Sequence, residues 1–242
     1  MGLISQTLSA MAREIKDLLL PRGCAGCDAP DEVLCDTCAA NFEQGIIRSH
    51  AHTGSTYPSF ACSEYRGESR RAILRWKDHG DEELTTPFCR LISKRVRRDD
   101  SMGLLRAYVG SRPPILVVPA PSTMQSMRRR GRCHMMPLAK AVANELQAWG
   151  MPATAVQLLS VAGGANKAVQ QSRAIQRSQR LQGRLHVKQQ RFYGTHAILV
   201  DDIVTTGSTL TSCGRALSDA GITPIAAYAL ASVAGRTQSS SI

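Results

Sequence analysis

The sequence is poor in aromatic residues, which make up only 5% of its 242 positions. Proteins that bind single-stranded nucleic acid by base stacking depend on aromatic side chains. The composition therefore argues against a nucleic-acid reader of that kind. It does not argue against a folded core, because 43% of the residues are hydrophobic. One α/β domain with a small extension fits this length.

Long apolar runs are also missing. No stretch has the length that a membrane helix needs, and the N-terminus shows no apolar core and cleavage site of a signal peptide. Residues 3 to 20 instead carry apolar side chains at helical spacing, with charges of both signs between them. This pattern predicts an amphipathic helix that packs on the body of the protein. We therefore expect a cytoplasmic protein whose thiols are reduced.

Acidic residues are outnumbered, with 19 Asp and Glu against 30 Lys and Arg and a net charge of +11. This balance favours polyanionic partners, which include phosphorylated substrates and nucleic acid. Three consecutive arginines, Arg128, Arg129 and Arg130, follow a rigid turn at Pro119–Ser122. We predict that these arginines bind an anionic substrate. The alternative is a solvated helix face.

Four of the eight cysteines form two C-x2-C pairs, Cys24 with Cys27 and Cys35 with Cys38. Two such pairs can close a tetrahedral zinc site with four thiolate ligands. Disulfides or free thiols are the alternative, and a reduced compartment disfavours disulfides. We predict a structural zinc ion, because four protein ligands leave no open position for catalysis.

One stretch, His196–Thr209, combines three features of a ligand site. Ala197–Val200 reads as a buried parallel strand, and Asp201 and Asp202 stand where it ends. A small hydroxyl-rich loop and an amphipathic helix follow. The loop consists of Thr205, Thr206, Gly207, Ser208 and Thr209.

A small loop that opens a helix can bind phosphate through backbone N–H groups and the positive helix N-terminus. Asp201 and Asp202 would repel a phosphate, and they suit neutral donors such as ribose hydroxyls. The alternative is a Thr- and Gly-rich turn with acidic residues at a solvated sheet edge.

Further strands are predicted at Ile115–Val118 and Val156–Val161. The strands that end at Val118 and Val200 can open onto one crevice, since ligands of parallel sheets bind beyond the carboxyl ends of strands. A helix is predicted to begin in the segment from Tyr65 to Lys77, with Arg70, Arg71 and Lys77 in solvent. The polar segment over residues 170 to 182 reads as an exposed lid or a nucleic-acid-facing helix.

The stretch that ends at Thr209 resembles the phosphoribosyl pyrophosphate (PRPP) signature of type I phosphoribosyltransferases. That signature is an apolar run, two acids, two apolar residues and Thr-Thr-Gly-Ser/Ala-Thr, and every position is filled here. The resemblance implies that the Thr205–Thr209 loop binds the 5′-phosphate. It also implies that Asp201 and Asp202 bind the ribose hydroxyls.

Several landmarks together resemble the ComF family of phosphoribosyltransferase-like proteins, which is associated with competence and DNA uptake. They are the two cysteine pairs, Tyr65-Arg-Gly67 with Arg71 and Lys77, Val118-Pro-Ala-Pro121, Arg130-Gly131 and the PRPP signature. The resemblance implies an α/β fold, a doubly wound parallel sheet of type I phosphoribosyltransferase kind, preceded by a small zinc module. The expected boundaries are 1–55 for the N-terminal helix and zinc module, 56–234 for the main domain and 235–242 for a disordered tail.

Two functions stay open at this point. The first is an enzyme or enzyme-like binder of PRPP or a ribose 5-phosphate, in which Mg²⁺ bound by the pyrophosphate neutralises the leaving group. The second is a non-catalytic module that uses the same fold to bind single-stranded DNA or a helicase of DNA uptake. The net charge and the polar segment favour the second function, while the paired acids at 201 and 202 favour the first.

Overall fold

The computed structural model of the chain describes residues 23–52, 55–98, 103–110, 114–121, 133–161, 185–188 and 195–233. Four predictions concern residues outside these ranges. They are the helix over residues 3 to 20, the three arginines at 128 to 130, the polar segment at 170 to 182 and the tail from residue 235. Within the described ranges, no helix combines the length and the hydropathy that a membrane crossing requires.

Six strands form a central sheet in the order β1-β2-β8-β7-β3-β4. They are β1 (Ile46–His52), β2 (Ser55–Glu64), β3 (Ile115–Pro119), β4 (Ala153–Ala155), β7 (His196–Val204) and β8 (Thr223–Ser232). β1 and β2 pair antiparallel, and every other neighbouring pair is parallel. Two short strands, β5 (Leu159–Val161) and β6 (Leu185–Val187), form a separate antiparallel pair.

Helices connect the parallel strands. A short helix, α1 (Asp36–Ala40), precedes β1, and the connecting helices are α2 (Gly67–Leu74), α3 (Thr85–Arg97), α4 (Met135–Ala148) and α5 (Ser208–Asp219). A single π-helical turn, Arg75–His79, follows α2 and ends at Gly80 in the left-handed conformation. Short 3-10 turns complete the connections at Asn41–Glu43, Glu82–Leu84 and Arg106–Tyr108.

Helices cover both faces of the sheet, because alternate strand residues point to opposite sides. On β3, Ile115 and Val117 pack in one core with α2, α3 and α4. Leu116 and Val118 pack in a second core with α5 and the β5–β6 pair. All five residues of β3 are buried, as its continuous apolar run predicts. The predicted α/β fold class with a mostly parallel sheet is therefore confirmed.

The strand predicted at Val156–Val161 needs correction. The sheet strand is Ala153–Ala155, which pairs with β3, whereas Leu159–Val161 pairs with β6. Leu158 and Leu159 are buried against the α5 side of the molecule. These buried leucines account for the apolar run on which the prediction rests. The strand that begins at Leu159 pairs with β6 and not with β3.

The sheet also contains a strand that the sequence pattern does not reveal. β1 joins the edge of the sheet through the hairpin with β2, on the N-terminal side of the boundary predicted at residue 55. Its Arg48, Ser49 and His50 give it a polar sequence that lacks the appearance of a strand. This hairpin matters because it contacts the candidate site.

Candidate functional site

Asp201 and Asp202 lie near the carboxyl end of β7 and are both buried, with 9% and 6% of their surfaces exposed. The backbone N–H of Asp202 donates a hydrogen bond to Oδ1 of Asp201 over 2.9 Å. Two buried carboxyl groups this close require compensating charge or proton uptake. We refer to these two residues as the acidic pair.

A cation from another part of the chain compensates one member of the acidic pair. Nζ of Lys77 lies 2.5 Å from Oδ2 of Asp202, and only 25% of the Lys77 side chain is exposed. Nε2 of His134 lies 3.4 Å from the same oxygen, and His134 is itself buried. The prediction that Lys77 is solvated is therefore wrong, because the ion pair draws it to the sheet.

The two carboxyl groups differ in their affinity for protons. Burial and the neighbouring charge of Asp202 raise the pKa of Asp201 to about 7. Burial acts in the same direction on Asp202, but Lys77 and the hydrogen bond from His134 outweigh it and hold its pKa below the usual range. Asp202 is thus the charged acceptor of the pair, and Asp201 exchanges a proton near neutral pH.

The Thr205–Thr209 loop follows β7 directly and opens α5. Gly207 has a φ of +79° and stands immediately before the first helical residue. Oγ1 of Thr206 contacts both Oγ and the backbone N–H of Ser208, at 3.0 and 3.4 Å. Thr205 and Thr206 are exposed, so the hydroxyls stay accessible. The first turn of α5 adds backbone N–H groups that have no partner within a helix.

The hairpin strand β1 contacts this loop through Arg48 and His50. Nη1 of Arg48 donates to the carbonyl oxygen of Thr205 over 2.5 Å and to that of Val233 over 3.3 Å. His50 is buried and shares a 2.7 Å hydrogen bond with Oγ of Ser59. Burial, with a smaller effect of Arg48, lowers the pKa of His50 to about 4. His50 is therefore a neutral support at physiological pH.

The end of β3 lies beside the acidic pair, as the sequence predicts. Pro119 is in register with Val200, and the backbone N–H of Ala120 donates to the carbonyl oxygen of Val200 over 2.7 Å. The two strand ends therefore open onto one crevice. Arg128, Arg129 and Arg130, predicted to line it, lie outside the described residues.

The four cysteines of the C-x2-C pairs converge at one point. Their sulfur atoms all lie within 4.8 Å of one another, and the sulfurs of Cys27 and Cys35 are 3.6 Å apart. Tetrahedral zinc–thiolate bonds of about 2.3 Å place sulfurs at separations of roughly this size. The predicted four-cysteine cluster at the N-terminal end is thereby confirmed, and we call residues 23–40 the four-cysteine module.

The module's backbone also suits thiolate ligands. Burial raises the pKa of Cys24, but hydrogen bonds from the backbone N–H groups of Cys35, Cys27 and Gly26 lower it to about 6. Gly26 leaves room for the cluster, since a Cβ there would lie 2.6 Å from the sulfur of Cys38. A thiolate-binding metal such as zinc fits this donor set.

Sequence reasoning missed four residues of the site as ligand or support groups: Lys77, His134, Arg48 and His50. Lys77 and His134 reach the acidic pair from 125 and 68 positions away, so no local spacing signals their contact. Arg48 and His50 alternate on one side of β1, which is the pattern that a supporting strand would show. That signal is detectable only once β1 is recognised as a strand.

In comparisons with known proteins, one family model matches the C-terminal part of the chain. A family model described as a phosphoribosyl transferase domain matches residues 136–241, a range that contains the acidic pair and the Thr205–Thr209 loop. No curated protein matches the chain.

Solved structures of three phosphoribosyltransferases resemble the chain remotely. A hypoxanthine phosphoribosyltransferase from Staphylococcus aureus is 15% identical, with a TM-score of 0.31 over 61% of this chain and 62% of that one. An adenine phosphoribosyltransferase is 12% identical, with a TM-score of 0.35 over 81% and 89%. The hypoxanthine enzyme of Trypanosoma cruzi is 16% identical, with a TM-score of 0.36 over 64% and 75%. The chain spans less than two thirds of the Staphylococcus aureus structure.

Proposed function

We propose that the protein binds PRPP, or a ribose 5-phosphate, at the crevice beyond β3 and β7. The 5′-phosphate lies on the backbone of the Thr205–Thr209 loop, and the ribose hydroxyls donate to the acidic pair. The observation that carries this proposal is the order along one strand end, in which two buried acids precede a left-handed glycine and a helix N-terminus.

The two halves of this site suit opposite ends of one sugar phosphate. Backbone N–H groups and hydroxyls supply donors for an anion, whereas Asp202 supplies charged acceptors that reject an anion and hold hydroxyl groups. A simple phosphate satisfies only the loop. A phosphorylated ribose satisfies both halves, so the arrangement selects for it.

Transfer chemistry fits the same geometry. The bond between C1 of the ribose and the pyrophosphate breaks, the leaving oxygen takes the electron pair, and positive charge develops at C1. An acceptor nucleophile then donates the electron pair of the new bond to C1. Mg²⁺ bound to the pyrophosphate would supply positive charge to the leaving group. The chain contributes position and charge: the acidic pair orients the ribose, and we assign Arg128, Arg129 and Arg130 to the pyrophosphate.

Calorimetric titration with PRPP and Mg²⁺ tests the proposal. We expect saturable binding at one site per chain, and weaker binding of ribose 5-phosphate, which lacks the pyrophosphate. Inorganic phosphate in excess should compete. If folded, metal-loaded protein does not bind PRPP, the proposal is wrong, and the chain has the fold without the ligand-binding activity.

The net charge of +11 favours a second candidate function. In this alternative the protein is a non-catalytic partner in DNA uptake that binds single-stranded DNA or a helicase. The resemblance to the ComF family supports this role. The two candidates differ in ligand, since only the first requires the acidic pair to contact a ribose.

A further inference from the structure

The Arg75–His79 turn connects the four-cysteine module to the acidic pair. It follows α2 directly and is one π-helical turn, closed by hydrogen bonds from Gly80 and Asp81 to the carbonyl oxygen of Arg75. Three consecutive residues of this turn are held by three different parts of the molecule. Their order makes the turn a physical link between two sites that are far apart in sequence.

The first of these residues, Arg75, holds the four-cysteine module. Nη2 of Arg75 forms an ion pair with Oδ1 of Asp28 over 2.7 Å. Nη1 contacts the carbonyl oxygens of Gly23 and Cys24, at 3.3 and 3.4 Å. One guanidinium therefore binds the backbone of a cysteine ligand and the residue after the first C-x2-C pair.

The second residue, Trp76, is fixed in the core. Its side chain is 1% exposed, and Nε1 donates to Oγ1 of Thr85 over 2.9 Å. Its ring meets the rings of Phe88 and His134 edge-on, at centroid distances of 5.3 and 5.0 Å. The buried Trp76 side chain therefore fixes the orientation of the turn about its own axis. This orientation also determines the direction in which the next residue, Lys77, leaves the turn.

We propose that the four-cysteine module is a positioning element for the acidic pair: through Arg75 it holds the turn from which Lys77 reaches Asp202. Lys77 carries a flexible stem that loses rotamer freedom when it is held in one geometry. The backbone that presents this side chain also loses freedom when the ion pair forms. Because Arg75 already fixes the turn, that backbone contribution is paid before Lys77 reaches Asp202, and the ion pair forms at a lower entropic cost. The inference rests on the proposed function only where PRPP is the probe.

The module also packs directly on α2, which strengthens the link. A Cβ on Gly26 would lie 3.2 Å from Cβ of Glu68, so the first C-x2-C knuckle sits against the helix that leads into the turn. Loss of a metal held by the four cysteines would loosen the knuckle and, with it, the carbonyl groups that Arg75 binds. The state of the cysteine cluster is thereby transmitted to Asp202.

The test that needs no nucleotide is chemical labelling of Lys77. Acetylation by a water-soluble ester, read by mass spectrometry, reports how often the amine leaves its ion pair, and exposed Lys140 is the internal reference. We expect Arg75→Ala to raise Lys77 labelling by about fivefold. Loss of an exposed ion pair such as Arg75–Asp28 changes an equilibrium by about this factor when its energy lies at the upper end of the usual range. Metal removal by chelation should give a similar rise.

Two further variants separate positioning from unfolding. Asp28→Asn removes only the charged contact of Arg75, and asparagine tolerates the positive φ of 63° at this position. Arg71→Ala is the matched control, because Arg71 lies one turn before Arg75, on α2, and pairs with Glu68 on the surface. We expect raised labelling for Asp28→Asn and none for Arg71→Ala. Unchanged Lys77 labelling in both Arg75→Ala and Asp28→Asn would overturn the proposal.

The second readout is a double-mutant cycle on PRPP affinity. If Arg75 acts through Lys77, Arg75→Ala weakens binding in the wild type but has no further effect in Lys77→Met. Additive losses in the cycle would contradict positioning through Lys77. If wild-type protein does not bind PRPP at all, the proposed function fails, while the labelling result still decides this inference.

Discussion

The ring of His50 occupies the space that any side chain at Gly207 would need. A Cβ on Gly207 would lie 2.5 Å from Nδ1 of His50, and no such contact is tolerated without movement. Gly207 also has a φ of +79°, a conformation that L side chains rarely adopt. The strand β1 and the Thr205–Thr209 loop are therefore fitted to each other through this one glycine.

Gly207→Ala should abolish binding of both PRPP and inorganic phosphate, because the loop must move away from His50. Gly221→Ala is the matched control: Gly221 has a φ of +78°, but nothing lies within 4 Å of the added Cβ. That control should lose about 1 kcal/mol of stability and keep its affinity. Calorimetry on both variants makes the comparison. Normal phosphate binding by Gly207→Ala would refute the fit between loop and strand.

The pH dependence of stability should report the proton on Asp201. Its pKa is raised to about 7 in the folded state against about 3.9 when unfolded. Its contribution to the free energy of unfolding is therefore complete below pH of about 4 and is lost as pH rises through about 7. We predict that Asp201→Asn removes this loss in denaturant titrations from pH 5 to 7.5.

His50 works in the opposite direction in that experiment. Its folded pKa of about 4 lies below its usual value, so its contribution is lost as pH falls. The difference between Asp201→Asn and wild type, rather than the wild-type curve alone, isolates the carboxyl group. Parallel stability curves for the two proteins would contradict the raised pKa.

Protein purified without chelators should contain one zinc ion per chain. Cys35→Ser should lose the metal and destabilise the four-cysteine module, because three thiolates cannot complete the tetrahedral set. Cys89→Ser is the control, since Cys89 lies on α3 outside the cluster. Elemental analysis measures both variants. Absence of zinc from the wild type, or full zinc in Cys35→Ser, would reject the assignment.

Single-stranded DNA should bind weakly and without base preference, because the net charge is positive and aromatic residues are few. Counterion release then dominates, so affinity falls steeply with salt. Replacing Arg128, Arg129 and Arg130 with alanine should reduce the salt slope by up to about three phosphate contacts. Fluorescence anisotropy at several salt concentrations measures it. PRPP should displace at most these three arginine contacts and leave the DNA bound to the rest of the basic surface. Salt-independent binding would point to base readout instead.

The parts of the site that lie within one strand and the loop after it can be predicted from local sequence. The apolar run before Asp201, the paired acids and the glycine-opened helix all stand within one stretch, so their residue types predict their arrangement. The cysteine cluster is predictable for the same reason, since each C-x2-C pair closes its own turn. Neither prediction requires knowledge of distant contacts.

The supporting residues come from elsewhere and could not be predicted this way. Lys77 looks like one more charge on a helix surface until the Arg75–His79 turn brings it to Asp202. His50 lies in a polar strand, β1, which belongs to the sheet only because its partner β2 pairs with β8. Tertiary placement decides both cases, and the residue pattern of each segment is compatible with an ordinary solvated surface.

The division of labour within the site is the central claim, and the affinities of Asp201→Asn and Asp202→Asn for two ligands test it most directly. Each variant should bind PRPP more weakly, because an amide replaces a carboxyl acceptor for the ribose hydroxyls. The loss should be about tenfold or more for Asp202→Asn, which removes the charged acceptor, and smaller for Asp201→Asn, since Asp201 exchanges a proton near neutral pH. The affinity for inorganic phosphate, which needs only the Thr205–Thr209 loop, should change little. Equal losses of PRPP and phosphate binding in these variants would contradict the account.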